Sequence, residues 1–188
     1  MIIKYEKDKK DEIIKRAADI LSRGGIVMYA SDTSYGLAID YANKKAIKKL
    51  NKLKNRQKPL YSLNFANLKQ IEQFYQLSEK QKETLKRFLP GELTFIIEED
   101  KPACRIPKIS IIVDIAKRLD RPLTATSANI SGQTPAYKIY NLPRNFLDKV
   151  ELIIDQGKLA KIPPSTIVNI SREKYKILGQ GRLYFDLG

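Results

Sequence analysis

Pro122-Leu123-Thr124-Ala125-Thr126-Ser127-Ala128-Asn129-Ile130-Ser131-Gly132 is the stretch on which the reading of this chain turns. Leu123 to Thr126 is short and apolar enough for a buried strand. Ser127 to Gly132 is small, polar and flexible, as expected where a strand ends. In open α/β sheets, ligands sit beyond the carboxyl ends of strands. Small residues there let a ligand approach the backbone, and Ser127 and Asn129 offer hydrogen bonds to hydroxyls or phosphates. The same residues also make an ordinary Asx or Ser turn.

Outward from this stretch, helical and strand patterns alternate. Ile13, Ala17, Ile20 and Leu21 recur at helical spacing between Asp11 and Arg23, and Gly24-Gly25 ends that run. Ile26 to Tyr29 reads as a short apolar strand, and Ala30 to Leu37, rich in Ser, Asp, Thr and Gly, as a loop. Asn43 caps a helix reaching about Leu53, with Ala46, Ile47, Leu50 and Leu53 inward and lysines outward. Leu60 to Phe65 reads as a strand, and Asn67 to Tyr75 and Ser78 to Phe88 as helices. The second of these opens on the capping-box pattern Ser78-Glu79-Lys80-Gln81. Leu93 to Glu98 is a strand, Ser110 to Leu119 a helix, and Gln133 to Pro143 an irregular loop. Leu152 to Ile154, Thr166 to Ile170 and Tyr175 to Leu178 are further strands, the last two joined as a hairpin. The order predicts an α/β fold with a mixed sheet, in a single domain over residues 1–188.

Composition narrows the chemistry. The chain has no histidine and one cysteine, Cys104. Ser-His and Cys-His catalysis are excluded, and a structural zinc site is implausible. Catalysis must rest on cations, hydroxyls, amides, carboxylates or a metal that arrives with the substrate. No window reaches a membrane span, and Met1 to Lys10 lacks the apolar core of a signal peptide. With its lone thiol the chain reads as soluble and cytoplasmic. The net charge is +14, which favours anionic partners. Between Asp40 and Glu72 there is no acidic residue, while Lys44, Lys45, Lys48, Lys49, Lys52, Lys54, Arg56, Lys58 and Lys69 fall inside. A solvated face normally mixes both signs.

Lys54-Asn55-Arg56 fits two roles. Its cations neutralise the carbonyl end of the preceding helix, or they hold phosphate oxygens, for which the guanidinium fork is suited. Asp32 and Thr33 fit a polar substrate or a cap. Arg105-Ile106-Pro107 fits a carboxylate or a surface position before proline. The hydroxyls of Ser165-Thr166 fit a ligand or the strand itself.

Taken jointly and in order, these motifs resemble the YrdC/Sua5 family of threonylcarbamoyl-AMP synthases. The anchors are Ser31-Asp32-Thr33-Ser34-Tyr35-Gly36-Leu37, Lys54-x-Arg56, Pro90-Gly91-Glu92-Leu93-Thr94, Arg105-Ile106-Pro107, Ser127-Ala128-Asn129-Ile130-Ser131-Gly132 and Ser165-Thr166-Ile167-Val168. The resemblance implies a twisted mixed sheet with flanking helices around a basic cavity. It implies synthesis of L-threonylcarbamoyladenylate from L-threonine, bicarbonate and ATP, with Mg²⁺ carried by ATP and pyrophosphate released. The product would feed t6A modification at position 37 of tRNA through a separate transfer complex. Lys54, Arg56, Ser127 and Asn129 would be catalytic. Arg56, Lys58, Ser127, Asn129 and Arg182 would bind nucleotide. Thr33, Tyr35, Arg105 and Ser165 would bind threonine, with no resident metal.

The chain departs from the family pattern in places. Ala30-Ser31 stands where Pro-Thr is common. The basic turn after Arg56 is shorter, which gives Lys58 a substitute's place. Leu60-Tyr61-Ser62-Leu63 lacks a frequent histidine. Leu178-Gly179-Gln180-Gly181 lacks an arginine at Gly179, for which Arg182 is the nearest substitute. The chain also ends where the catalytic domain should, without the C-terminal domain of longer Sua5 forms. The alternative is a basic RNA-binding protein of the same fold with little or no synthase activity, resting on the Lys44–Lys58 run. That run lacks the interleaved aromatics on which single strands stack.

Overall fold

Ten strands form one sheet in a computed structural model that describes residues 1–56, 61–108, 110–181 and Leu183. They are β1 (Ile2–Lys4), β2 (Val27–Ala30), β3 (Tyr35–Ala38), β4 (Ser62–Asn64), β5 (Leu93–Ile96), β6 (Ala103–Arg105), β7 (Leu123–Ser127), β8 (Leu152–Asp155), β9 (Thr166–Asn169) and β10 (Lys176–Gly179). The helices are α1 (Lys10–Ser22), α2 (Lys44–Lys54), α3 (Leu68–Phe74), α4 (Glu79–Phe88), α5 (Ile111–Leu119) and α6 (Arg144–Leu147). The strand order is β1-β8-β2-β3-β7-β4-β6-β5-β9-β10. Parallel pairs (β1–β8, β2–β8, β4–β6, β5–β9) occur beside antiparallel ones, so the sheet is mixed as expected.

Local chemistry sets the helix ends. Asn43 Oδ1 accepts from the amides of Lys45 (3.0 Å) and Ala46 (3.1 Å) and starts α2. Asn55, left-handed at φ 50°, stops it. The capping box of α4 is complete, with Ser78 and Gln81 each bonding the other's backbone amide. Asn67 and Ser110 cap α3 and α5.

Alternation along the strands divides the core in two. Val27, Tyr29, Leu152 and Ile154 face α1 and α5, whereas Met28, Ala30 and Ile153 face the other side, with α2 and the aromatic cluster of Phe65, Phe74 and Tyr75. Strands covered on both faces read as unbroken apolar runs, which is why β2 and β8 are legible in the sequence.

One expectation needs correction, and three short elements come in addition to those expected. Residues 30–37 are not one loop. A tight turn at Ser31–Ser34 joins β2 to β3 as a hairpin, held by the Ser31 hydroxyl on the Ser34 carbonyl (2.7 Å). The polar letters of the turn conceal the strand after it. β1 and β6, three residues each, escape the sequence reading because neither is long enough to show alternation. The short helix α6 lies just past the segment read as irregular.

Candidate functional site

Strand register lays out the floor of a cleft. Tyr29 pairs with Gly36, and Gly36 with Ser127; Ser62 pairs with Ala125, and Asn64 with Arg105. Directly paired residues share a face. Tyr29, Gly36, Ser127, Ala125, Ser62, Asn64 and Arg105 therefore lie on the sheet face that elsewhere carries α1 and α5. With Ser34, Thr94 and Thr126, and with Pro135, Tyr137 and Pro164 from the loops, most of this row lines a cleft of about 470 Å³.

Thr33, Arg105 and Ser165, all anticipated, line this cleft. Arg105 Nη2 donates to Asp32 Oδ2 at 2.6 Å. Arg105 Nε and Asp32 Oδ1 are buried without a partner among the described residues, so the pair has unspent hydrogen-bonding capacity beside the cavity. The Ser165 hydroxyl meets Thr94 Oγ1 at 2.8 Å and Thr33 Oγ1 meets Ser31 Oγ at 3.3 Å. Ser62, in the segment where a histidine is frequent, lies in the wall.

Tyr35 is a correction. It sits between Ser34 and Gly36 on β3, so strand alternation turns it to the opposite face. It is fully buried, and its hydroxyl donates toward Asp155 Oδ1 and Gly157 O (2.9 Å each) while accepting from the Gln156 amide. The aromatic residue that the sheet itself brings to the cleft is Tyr29, with Tyr137 coming from a loop. Sequence reasoning takes Tyr29 as plain strand, and only its register opposite Gly36 marks it.

A second depression, about 550 Å³, is lined by Lys54, Asn55, Arg56, Ser127, Asn129, Ser131 and Gly132. The two motifs that the sequence pairs do meet, and they meet through Lys54. Its side chain is 1 % exposed, and its ammonium donates to the backbone oxygen of Ser127, the backbone oxygen of Asn129 (2.9 Å) and Asn129 Oδ1 (3.2 Å). Burial, and after it the Arg56 charge, push its pKa down to about 7, while the surrounding oxygens favour the ammonium. Ser127 Oγ donates to Asn129 Oδ1 (2.5 Å), and Asn129 Nδ2 donates to Ile130 O and Gln133 O. Lys54 therefore holds the Ser127–Asn129 turn, and Arg56 is the other cation lining the depression among the described residues. Arg56 Nη2 lies 3.5 Å from Thr126 Oγ1, and its guanidinium stacks 5.6 Å from the Tyr61 ring. Lys58 and Arg182 lie outside the described residues.

A third hollow, about 410 Å³, runs from Asn129 past Pro135 and Tyr137 to Lys138, Lys158 and Lys161. Ser127 joins the first two clefts, and Asn129 joins the second to the third. Each hollow carries cations: Arg105 in the first, Lys54 and Arg56 in the second, and Lys138, Lys158 and Lys161 in the third. Among the described residues no cluster of three metal-ligating side chains occurs, and no helix is long and apolar enough to cross a membrane.

A mixed sheet with flanking helices, one face of which carries contiguous cation-lined clefts, defines the class. The Sua5/YciO/YrdC family model, described as "Telomere recombination", matches residues 19–181, and the chain belongs to this family. A Methanocaldococcus jannaschii protein named "Putative threonylcarbamoyl-AMP synthase" is 30 % identical, over 96 % of this chain and 91 % of its own length. The Pyrococcus abyssi "Threonylcarbamoyl-AMP synthase" is 28 % identical over 97 % of this chain. This chain spans only 58 % of that relative. The crystal structure of P. abyssi Sua5 complexed with L-threonine superposes with a TM-score of 0.86 at 27 % identity, covering 96 % of this chain and 57 % of that one.

Proposed function

We propose that this protein makes L-threonylcarbamoyladenylate from L-threonine, bicarbonate and ATP, releasing pyrophosphate. The observation that carries the reading is the junction at Ser127. One side of it opens to Arg105, suited to an amino-acid carboxylate, and the other to Arg56, suited to phosphate. Relatives named as threonylcarbamoyl-AMP synthases support the adenylate product, and a related Sua5 complexed with L-threonine supports threonine as a substrate.

In this reading threonine lies in the first cleft among Thr33, Arg105 and Ser165, and ATP brings Mg²⁺ as part of the substrate into the second. The carbamate formed on the threonine nitrogen attacks the α-phosphorus, and pyrophosphate leaves. Negative charge grows on phosphoryl oxygens, and Arg56, beside the turn that Lys54 holds rigid, supplies a fixed cationic donor for it. No proton relay through histidine is needed. The adenylate then passes to a transfer enzyme for t6A37 of tRNA.

The alternative, RNA binding without synthesis, draws on one feature. Lys44, Lys45, Lys48, Lys49 and Lys52 are all exposed on α2, and Glu151 pairs with Lys49. This face supports loose, salt-sensitive tRNA contact alongside synthesis. Incubating the protein with threonine, bicarbonate, Mg²⁺ and ATP should yield pyrophosphate and the adenylate. RNA binding that persists at high salt, with no adenylate formed, would favour the alternative.

A further inference from the structure

Tyr29 is a buried polar group at the first cleft that no motif assigns. Its ring lies over Gly36, where an added Cβ would stand 3.0 Å from the ring, so glycine is what admits it. The side chain is 2 % exposed yet lines the cleft. Its hydroxyl accepts a hydrogen bond from Asn64 Nδ2 at 2.9 Å. Asn64 is itself buried, and it is paired across β4 and β6 with Arg105. A phenol that accepts one bond still has its own hydrogen to give. Among the described residues no acceptor receives it. A buried donor without an acceptor is costly, so a ligand oxygen is the natural complement.

We infer that the Tyr29 hydroxyl is a substrate-binding donor that acts beside Arg105 on the carboxylate of the amino-acid substrate. The inference rests on the proposed synthase reading. Arg105 has an unpartnered Nε, and Asp32 occupies only its Nη2. A carboxylate has two oxygens and room for both kinds of donor. The phenol stays protonated, since burial raises its pKa to about 12. Asn64 fixes the direction of the O–H by taking the hydroxyl's acceptor side. Tyr29 thus belongs with the threonine-holding residues although it stands before the turn that carries the motif.

The test is Tyr29→Phe, which removes one oxygen and keeps the ring over Gly36. Binding of L-threonine, measured by calorimetry, should weaken roughly ten- to a hundred-and-fiftyfold, the loss expected for a hydrogen bond to a charged group. Binding of tripolyphosphate should be unchanged. In turnover the KM for threonine should rise by a similar factor with kcat nearly constant. Asn64→Ala should produce a smaller loss in the same direction, because it frees the hydroxyl without removing it. Threonine affinity unchanged in Tyr29→Phe, with the wild-type protein binding threonine normally, overturns the role of Tyr29. No threonine binding by the wild-type protein overturns instead the synthase reading on which it rests.

Discussion

Lys54 Nζ bonds Asn129 twice, through the backbone oxygen at 2.9 Å and the side-chain oxygen at 3.2 Å. The ammonium thereby ties the end of α2 to the turn after β7. A further bond runs from the Ser131 amide to Lys54 O (2.9 Å). Lys54→Met should therefore still fold, because losing these bonds is partly offset by removing a buried charge. The expected destabilisation is about 1–2 kcal/mol. Nucleotide affinity should fall by more, roughly tenfold or beyond, since the turn loses its strut. Denaturant unfolding and ATP titration of the same preparation check both.

The depressed pKa of Lys54 gives a pH signature. In the folded protein it titrates at about 7, against 10.5 ordinarily. Below about pH 7 both states hold the proton. Above it the unfolded chain holds one more, so stability rises with pH. Buried Cys104 works the other way once unfolded thiols ionise, because burial raises its pKa. The clean window is pH 7 to about 8.5. Unfolding free energy should rise across it in the wild type and stay flat in Lys54→Met. A wild-type curve without that rise would remove Lys54 from the account.

Arg56→Ala should leave the fold intact, since a guanidinium at a cleft rim adds little to the core. Synthesis should fall by the equivalent of about 1.5–3 kcal/mol, more where the contact strengthens in the transition state. Steady-state rates with circular dichroism as control decide it. Near-normal turnover would take Arg56 out of the site.

Much of this is legible in the sequence because capping, turn chemistry and apolar periodicity are local. Asn43, Ser78 and Ser110 mark helix starts, and the pairing of Lys54-x-Arg56 with Ser127-x-Asn129 marks the second cleft. What the sequence conceals depends on register and faces. Tyr35 adjoins cleft residues in the chain and lies on the wrong side of β3, whereas Tyr29, outside every motif, is placed at the cleft by pairing with Gly36. The role of Lys54 is also hidden, because a lysine at a helix end looks the same whether its head meets phosphate or the protein's own carbonyls.

Gly179 and Gly181 should behave differently. An added Cβ at Gly181 would stand 2.1 Å from Pro164 O and 2.6 Å from the Thr166 nitrogen, which are backbone atoms that cannot swing aside. The Gly181 amide also donates to Thr166 Oγ1 (2.9 Å), pinning the tail beside Ser165. Gly181→Ala should displace the Ser165 segment, lowering stability by about 1–3 kcal/mol and raising the KM for threonine. At Gly179 a Cβ would meet only Ile167 side-chain carbons, at 3.7 Å and beyond, which is ordinary contact. Gly179→Ala should therefore unfold at the wild-type temperature. Gly179→Arg, which restores the family pattern, should fold as well and tighten ATP binding. Thermal melts of the three variants, with ATP and threonine titrations, separate these effects. Equal destabilisation at both glycines would show that the tail, rather than the close approach at Gly181, sets the response.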